Sequence, residues 1–180
     1  MASPYLPPVI DVSSLPEDEQ KAMADVLFEP SPEMHSIVLP LLSQPYASYT
    51  DLISVVRPKL SALLGDPAQK NTLHAIISAH PRLGEKKEAL SASSSAEQSK
   101  LQGHEAEIAQ LNTDYESKFP GLRYVAFVNG RGRPEIVEDI KWRIERDDIA
   151  AEERMAIEAM CDIAVDRAVK ILRAARGEVV

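Results

Sequence analysis

The chain has 180 residues, 28 acids against 20 Lys and Arg for a formal charge of −8, and 44% hydrophobic but only 5% aromatic side chains. A chain of this length is one ordinary domain, able to bury roughly 70% of its unfolded surface without a metal or disulfide. The acidic balance speaks against a sequence-independent grip on phosphate backbones, so no nucleic acid is expected as a partner. Cys161 is the only cysteine, which rules out an intrachain disulfide and a cysteine-based metal cluster. No apolar run of about 18 residues reads as a membrane span, so no membrane is expected either.

Prolines 4, 7, 8 and 16 forbid a regular helix at the start, and residues 1–15 are expected to be an extended arm on a helical domain spanning 16–180. The first residues lack the charged and then apolar pattern of a secretion leader. The C-terminal Arg-Gly-Glu-Val-Val is not a peroxisomal Ser-Lys-Leu address. The expected compartment is the cytoplasm, or the peroxisome by a route not readable at the C-terminus.

Ser14 is a plausible N-cap for a first helix that carries Met23, Val26 and Leu27 and ends before Pro30. A second begins at Ser31 and Pro32, with Pro40 marking a kink or early stop. A third runs from Tyr49 to Leu64, bent at Pro58, and a fourth opens with Asp66 as N-cap and Pro67 at its first position and ends at His80. After a serine-rich segment, Leu101, His104, Ile108, Leu111 and Tyr115 keep a helical period to Lys118, with Ser94 and Glu97 spaced as a capping box. Arg123 to Pro134 contains the only strand-like run, and one strand cannot make a sheet; its backbone groups must find other partners. Helices over Glu135–Arg146 and Ala150–Arg176 follow. The fold class predicted is all-α, a single-domain bundle of about seven to nine helices with one short extended segment near 123–128.

Proline at 81 drives the preceding residue out of helical dihedrals, so His80 sits at a helix C-terminus. The negative end of the helix dipole favours the imidazolium, which would raise its pKa and suit it to donate a proton near neutral pH. The bland reading is a cap for orphan carbonyls. His35, His74 and His104 read as surface or core filler. Gln98 beside Glu97 adds an amide at a helix start, where a small polar ligand can be held, although the capping box alone explains Ser94 and Glu97. Arg167 falls among apolar residues of the last helix, where a charge needs a partner. That partner is a neighbouring acid, or Arg167 anchors a substrate carboxylate or Glu97. There is no metal motif, P-loop, dinucleotide fingerprint or nucleophile elbow.

The segments HPRLG from His80, SSAEQ from Ser94 to Gln98, YVAFVNGR after Phe119, IVEDIKWRI and IAVDRAVKIL occur in this order. Together they resemble the 2-oxo-4-hydroxy-4-carboxy-5-ureidoimidazoline (OHCU) decarboxylases, which complete the conversion of urate to S-allantoin. The likeness runs from about Met23 to about Leu172. Met34 stands where that family commonly has tryptophan, and Arg82 where an acid is frequent. The resemblance implies an all-α, cofactor-free homodimer acting on a small ureidoimidazoline. It implies His80 as the catalytic acid and Glu97 as its essential partner. Pro81, Ser94, Ser95, Ala96, Gln98, the backbone of Tyr124, Val125, Ala126, Phe127 and Val128, and Arg167 would contact the substrate. Two rival readings are a helical ureide-binding or regulatory domain that kept the fold without the activity, and a hydrolase or isomerase of a related ureide.

Overall fold

The computed structural model describes residues 4–84 and 105–178. Among them the regular structure is entirely helical: α1 (Glu17–Phe28), α2 (Pro32–Val38), α3 (Tyr49–Ser61), α4 (Lys70–Ala79), α5 (Glu105–Lys118), α6 (Arg133–Arg146) and α7 (Ile149–Ala175), with 3-10 turns at Val9–Ser14 and Leu39–Ser43. The predicted all-α class is the one observed.

The 27-residue α7, about 40 Å long at helical rise, is the spine. It packs against α3, α1 and α4, while α5 pairs with α6 and α2 lies against α1, α3 and α4. Its buried face runs through Ala156, Ile157, Met160, Cys161, Ala164 and Ala168. Small residues at helical spacing let neighbouring helices approach closely, and Leu52, Ile53, Val56 and Leu60 of α3 fill the facing layer.

Local chemistry sets the ends. Ser31 accepts the Met34 N–H at 3.2 Å, Ser48 that of Asp51 at 3.1 Å and Asp148 that of Ala151 at 2.9 Å, each relieving one orphan donor of a first turn. Pro40 converts the end of α2 into a 3-10 turn, as its position predicted. α1 closes on Glu29, whose backbone lies at φ 69°, ψ 152°, a region occupied almost only by glycine.

Three local expectations are corrected. Ser14 does not cap α1; it ends the Val9–Ser14 turn, donating to the Asp11 carbonyl at 2.8 Å, and Pro16 takes the N-cap position. The arm is not wholly extended or superficial, because Leu6 and Val12 are buried and Tyr49 donates to the Pro7 carbonyl at 2.8 Å. Proline forbids α-helix there but leaves a carbonyl for a tighter turn, closed by Asp11 N–H on Pro8. Asp66 holds a turn by accepting the Ala68 N–H at 2.9 Å, and α4 starts only at Lys70.

Candidate active site

Pro81 ends α4 and sets His80 in extended backbone at φ −65°, ψ 137°. Three of the four residues after the helix are then fastened by groups distant in sequence. Arg123 donates to the His80 carbonyl at 2.8 Å, Arg82 forms a two-pronged pair with Glu116, and Asn112 of α5 donates to the Leu83 carbonyl at 2.8 Å. Arg82, placed where the resemblance leads one to expect an acid, thus serves the attachment of this loop to α5.

The His80 ring is buried, 4% exposed, and its Nε2 has no hydrogen-bond partner among the described residues. An unsatisfied buried ring nitrogen is costly, and it marks a place where a ligand atom would be welcome. Reading His80 as a simple cap gains no support from Nε2, which meets no carbonyl. Burial pushes the imidazole from 6.5 down to about 4, the Arg167 and Arg123 charges acting in the same direction and Glu29 against them. The expected upward shift is therefore reversed. A helix end contributes about 0.3–1 kcal/mol toward the cation, whereas a fall of this size corresponds to about 3 kcal/mol at ~1.4 kcal/mol per pH unit. The resting ring is neutral at physiological pH.

Arg167 is 3% exposed. Its Nη2 meets Glu29 Oε1 at 2.7 Å, and its Nη1 makes longer contacts, 3.4 and 3.3 Å, to the carbonyls of Val26 and Leu27 at the end of α1. The neighbouring-acid reading of Arg167 is realised in this pair, and because the same two charges act on His80 the pair belongs to the histidine's surroundings.

Tyr124 to Val128 carries no regular secondary structure and has no ladder partner among the described residues. Its polar groups divide by kind. The Val125 carbonyl accepts from Arg143 at 3.3 Å, the Phe127 carbonyl from Arg131 at 3.1 and 2.6 Å, and the Val128 carbonyl from the Arg131 N–H at 2.7 Å. None of the N–H groups of Tyr124 to Val128 bonds another backbone group among the described residues. Arg123, directly before this segment, is the residue that holds the His80 carbonyl. Beneath it lies a buried network that the sequence did not suggest. Arg143 sits 4.9 Å from the Tyr124 ring centroid, pairs with Asp139 at 3.0 Å and approaches Glu152 at 3.6 Å. Glu152, fully buried, also receives Tyr115 at 2.7 Å and pairs with Arg146.

The structure thus links His80, half-buried Pro81, Arg167 and the Tyr124–Val128 segment through Arg123 and shared electrostatics. Glu97 and the rest of Ser94–Gln98 lie outside the described residues. His35 pairs with Asp25 at 2.5 Å and His74 with Glu153 at 2.7 Å, so both rings are engaged structurally. A cavity of about 320 Å³ opens at the other end of α4, between Asp66, Lys70 and Glu153, and contains none of the predicted site residues.

The OHCU decarboxylase family model matches residues 13–169. The chain belongs to the OHCU decarboxylase family. No curated protein matches it. The matched span runs from the turn before α1 to just beyond Arg167, taking in His80, the extended segment and Glu29. Membership supports a decarboxylase role in urate degradation. No helix among the described residues is long and apolar enough to cross a membrane.

Glu29 and Arg123 escaped the sequence reading. Glu29 carried one signal: an acid wedged between Phe28 and Pro30, where a helix stops and a charged residue has little reason to be buried. Arg123 carried none, because its partner lies 43 positions away.

Proposed function

We propose that this protein decarboxylates 2-oxo-4-hydroxy-4-carboxy-5-ureidoimidazoline to S-allantoin and CO2, with His80 delivering the proton and Glu97 as its partner. The observation that carries the reading is the buried, neutral imidazole with an unpartnered Nε2, set in the field of Arg167 and Arg123. Breaking the bond from the ring carbon to the carboxylate leaves an electron pair that the conjugated C=N and carbonyl of the substrate accept. The substrate is its own electron sink, and the protein's task is to place the carboxylate, stabilise developing charge and supply one proton to one face.

Arg167 suits the carboxylate, and the amides of Tyr124 to Val128 suit a ring oxygen. Pro81 and Ser94 to Gln98 complete the walls, with Glu97 and Gln98 on the ureido and ring N–H groups. Burial is the main cause of the neutral ring and the Arg167 and Arg123 charges add to it; an anionic substrate entering beside His80 offsets those charges and raises its pKa. The histidine would then become a proton donor only when substrate is bound, which limits discharge to water. Family likeness also supports a homodimer, checked by light scattering.

The test is to supply freshly generated substrate from uricase and hydroxyisourate hydrolase and follow the circular dichroism of allantoin together with CO2. Fast formation of one enantiomer, lost in His80→Ala and Glu97→Ala, is expected. A rate no better than the spontaneous, racemic reaction would leave the ureide-binding reading in its place.

A further inference from the structure

We propose that Glu29 is a positioning residue of this site, holding the Arg167 guanidinium in the orientation that receives the substrate carboxylate. The inference rests on the decarboxylase reading for its kinetic consequence but not for its geometry. Three observations converge on this residue. Its backbone occupies φ 69°, ψ 152°, a conformation that costs a non-glycine residue about 1–3 kcal/mol and persists only where the surroundings impose it. Its side chain is buried, 4% exposed, which a carboxylate tolerates only when paired. The partner is Arg167, 2.7 Å away, itself buried and also reaching back to the Val26 and Leu27 carbonyls of the same helix end.

A staple between α1 and α7 could be made more cheaply. The two helices already share an apolar contact layer, and a buried ion pair contributes little net stability compared with hydrophobic residues of the same volume. Nor does a helix end require this backbone; glycine would adopt it without strain. What the arrangement achieves is directional. With Nη2 fixed on Glu29 and Nη1 on the α1 carbonyls, the guanidinium has few orientations left, and its charge acts on His80 while Glu29 partly offsets it. Among the described residues, the charged groups that act on His80 are Arg167 from α7, Glu29 from the end of α1 and Arg123, which precedes the Tyr124–Val128 segment.

Two measurements separate this role from a structural one. In the kinetic arm, Glu29→Gln and Glu29→Gly are compared with wild type. Glycine relaxes the backbone, so a merely structural corner would keep the wild-type KM in Glu29→Gly. The expected result is a KM raised at least about tenfold in both variants, with kcat less affected, and partial recovery in Glu29→Asp. A folded Glu29→Gly with unchanged KM would overturn the proposal. The second arm needs no turnover: the His80 ring is titrated by NMR in Arg167→Gln and in Arg167→Gln/Glu29→Gln. The single variant should titrate above wild type, and the double variant should fall back toward it. With Glu29→Gln alone completing the cycle, shifts that simply add would show that Glu29 does not act through Arg167, and would sink the idea whether or not the enzyme decarboxylates this substrate.

Discussion

Holding His80 neutral has a price in acid stability that can be measured. The unfolded imidazole takes up its proton near 6.5, whereas the folded one waits until about 4. Between these values the unfolded chain binds more protons than the native one, so stability must rise with pH across that window and fall as the solution is acidified. The contribution is intact above the unfolded value, erodes from there downward and reaches its limit of about 3 kcal/mol near the folded value, at ~1.4 kcal/mol per unit. Integrating the two titrations from pH 7 to pH 5 gives a loss of about 2 kcal/mol from this one ring.

The clean perturbation is His80→Asn, which keeps a polar side chain but removes the titration. Urea unfolding of both proteins at pH 7 and pH 5, followed by far-UV circular dichroism, gives four stabilities, and every other group titrates in both proteins. Wild type should lose about 2 kcal/mol more than the variant between the two pH values, equivalent to about 4–8 °C in Tm for a domain of this size. If the two proteins lose stability in parallel, the ring is not held neutral by burial. The argument for a proton donor armed by substrate then fails with it.

Glu152→Ala removes the carboxylate shared by buried Arg143, which keeps Asp139, and half-buried Arg146, and leaves the buried Tyr115 hydroxyl without its acceptor; it should cost about 1–3 kcal/mol in urea titrations, and no measurable loss would show that water reaches the site. Gly121→Ala combines a φ of +88° with a new Cβ 2.7 Å from His74 Nδ1. It should destabilise by about 1–3 kcal/mol, and an unchanged melting temperature would contradict the packing around His74. The Cys161 thiol is buried and pushed up to about 12 by burial. It should therefore resist a thiol reagent at pH 8 in the native protein and react fully in urea, while rapid native labelling would place it at the surface.

The sequence was most legible where the cause of structure is local. Pro81 placed His80, Pro40 broke α2, and Ser31 opened its helix as its side chain predicts. It was legible too where periodicity carries over many residues, as along α7. It failed at Asp66, where a turn competes with a cap for the same carboxylate, and at the arm, where buried Leu6 and Val12 overrode the reading of a proline-rich tail. The largest failure concerned the charge of His80. A helix end is visible in the chain, but the depth at which the ring is buried and the two arginines beside it come from residues 43 and 87 positions further on.

Those arginines share a mode of attachment that explains how one extended segment survives in a helical protein. Arg123 donates to the His80 carbonyl, Arg143 to that of Val125, and Arg167 to those of Val26 and Leu27. Each carbonyl lies at the end of a helix or in the segment without a ladder, where backbone acceptors would otherwise be orphaned. A lysine could supply the charge but not a planar fork that bonds a carbonyl and a carboxylate together. Two of these guanidinium groups, Arg123 and Arg167, also act on the buried histidine and add to burial in disfavouring the imidazolium, with Glu29 partly offsetting them; on the proposed function this is a field that a substrate carboxylate would relieve. On that reading, groups that hold irregular backbone would also prepare the site for an anion. Under the proposed function, the Tyr124–Val128 segment, the buried Arg167 and the histidine at the helix end would then serve one site.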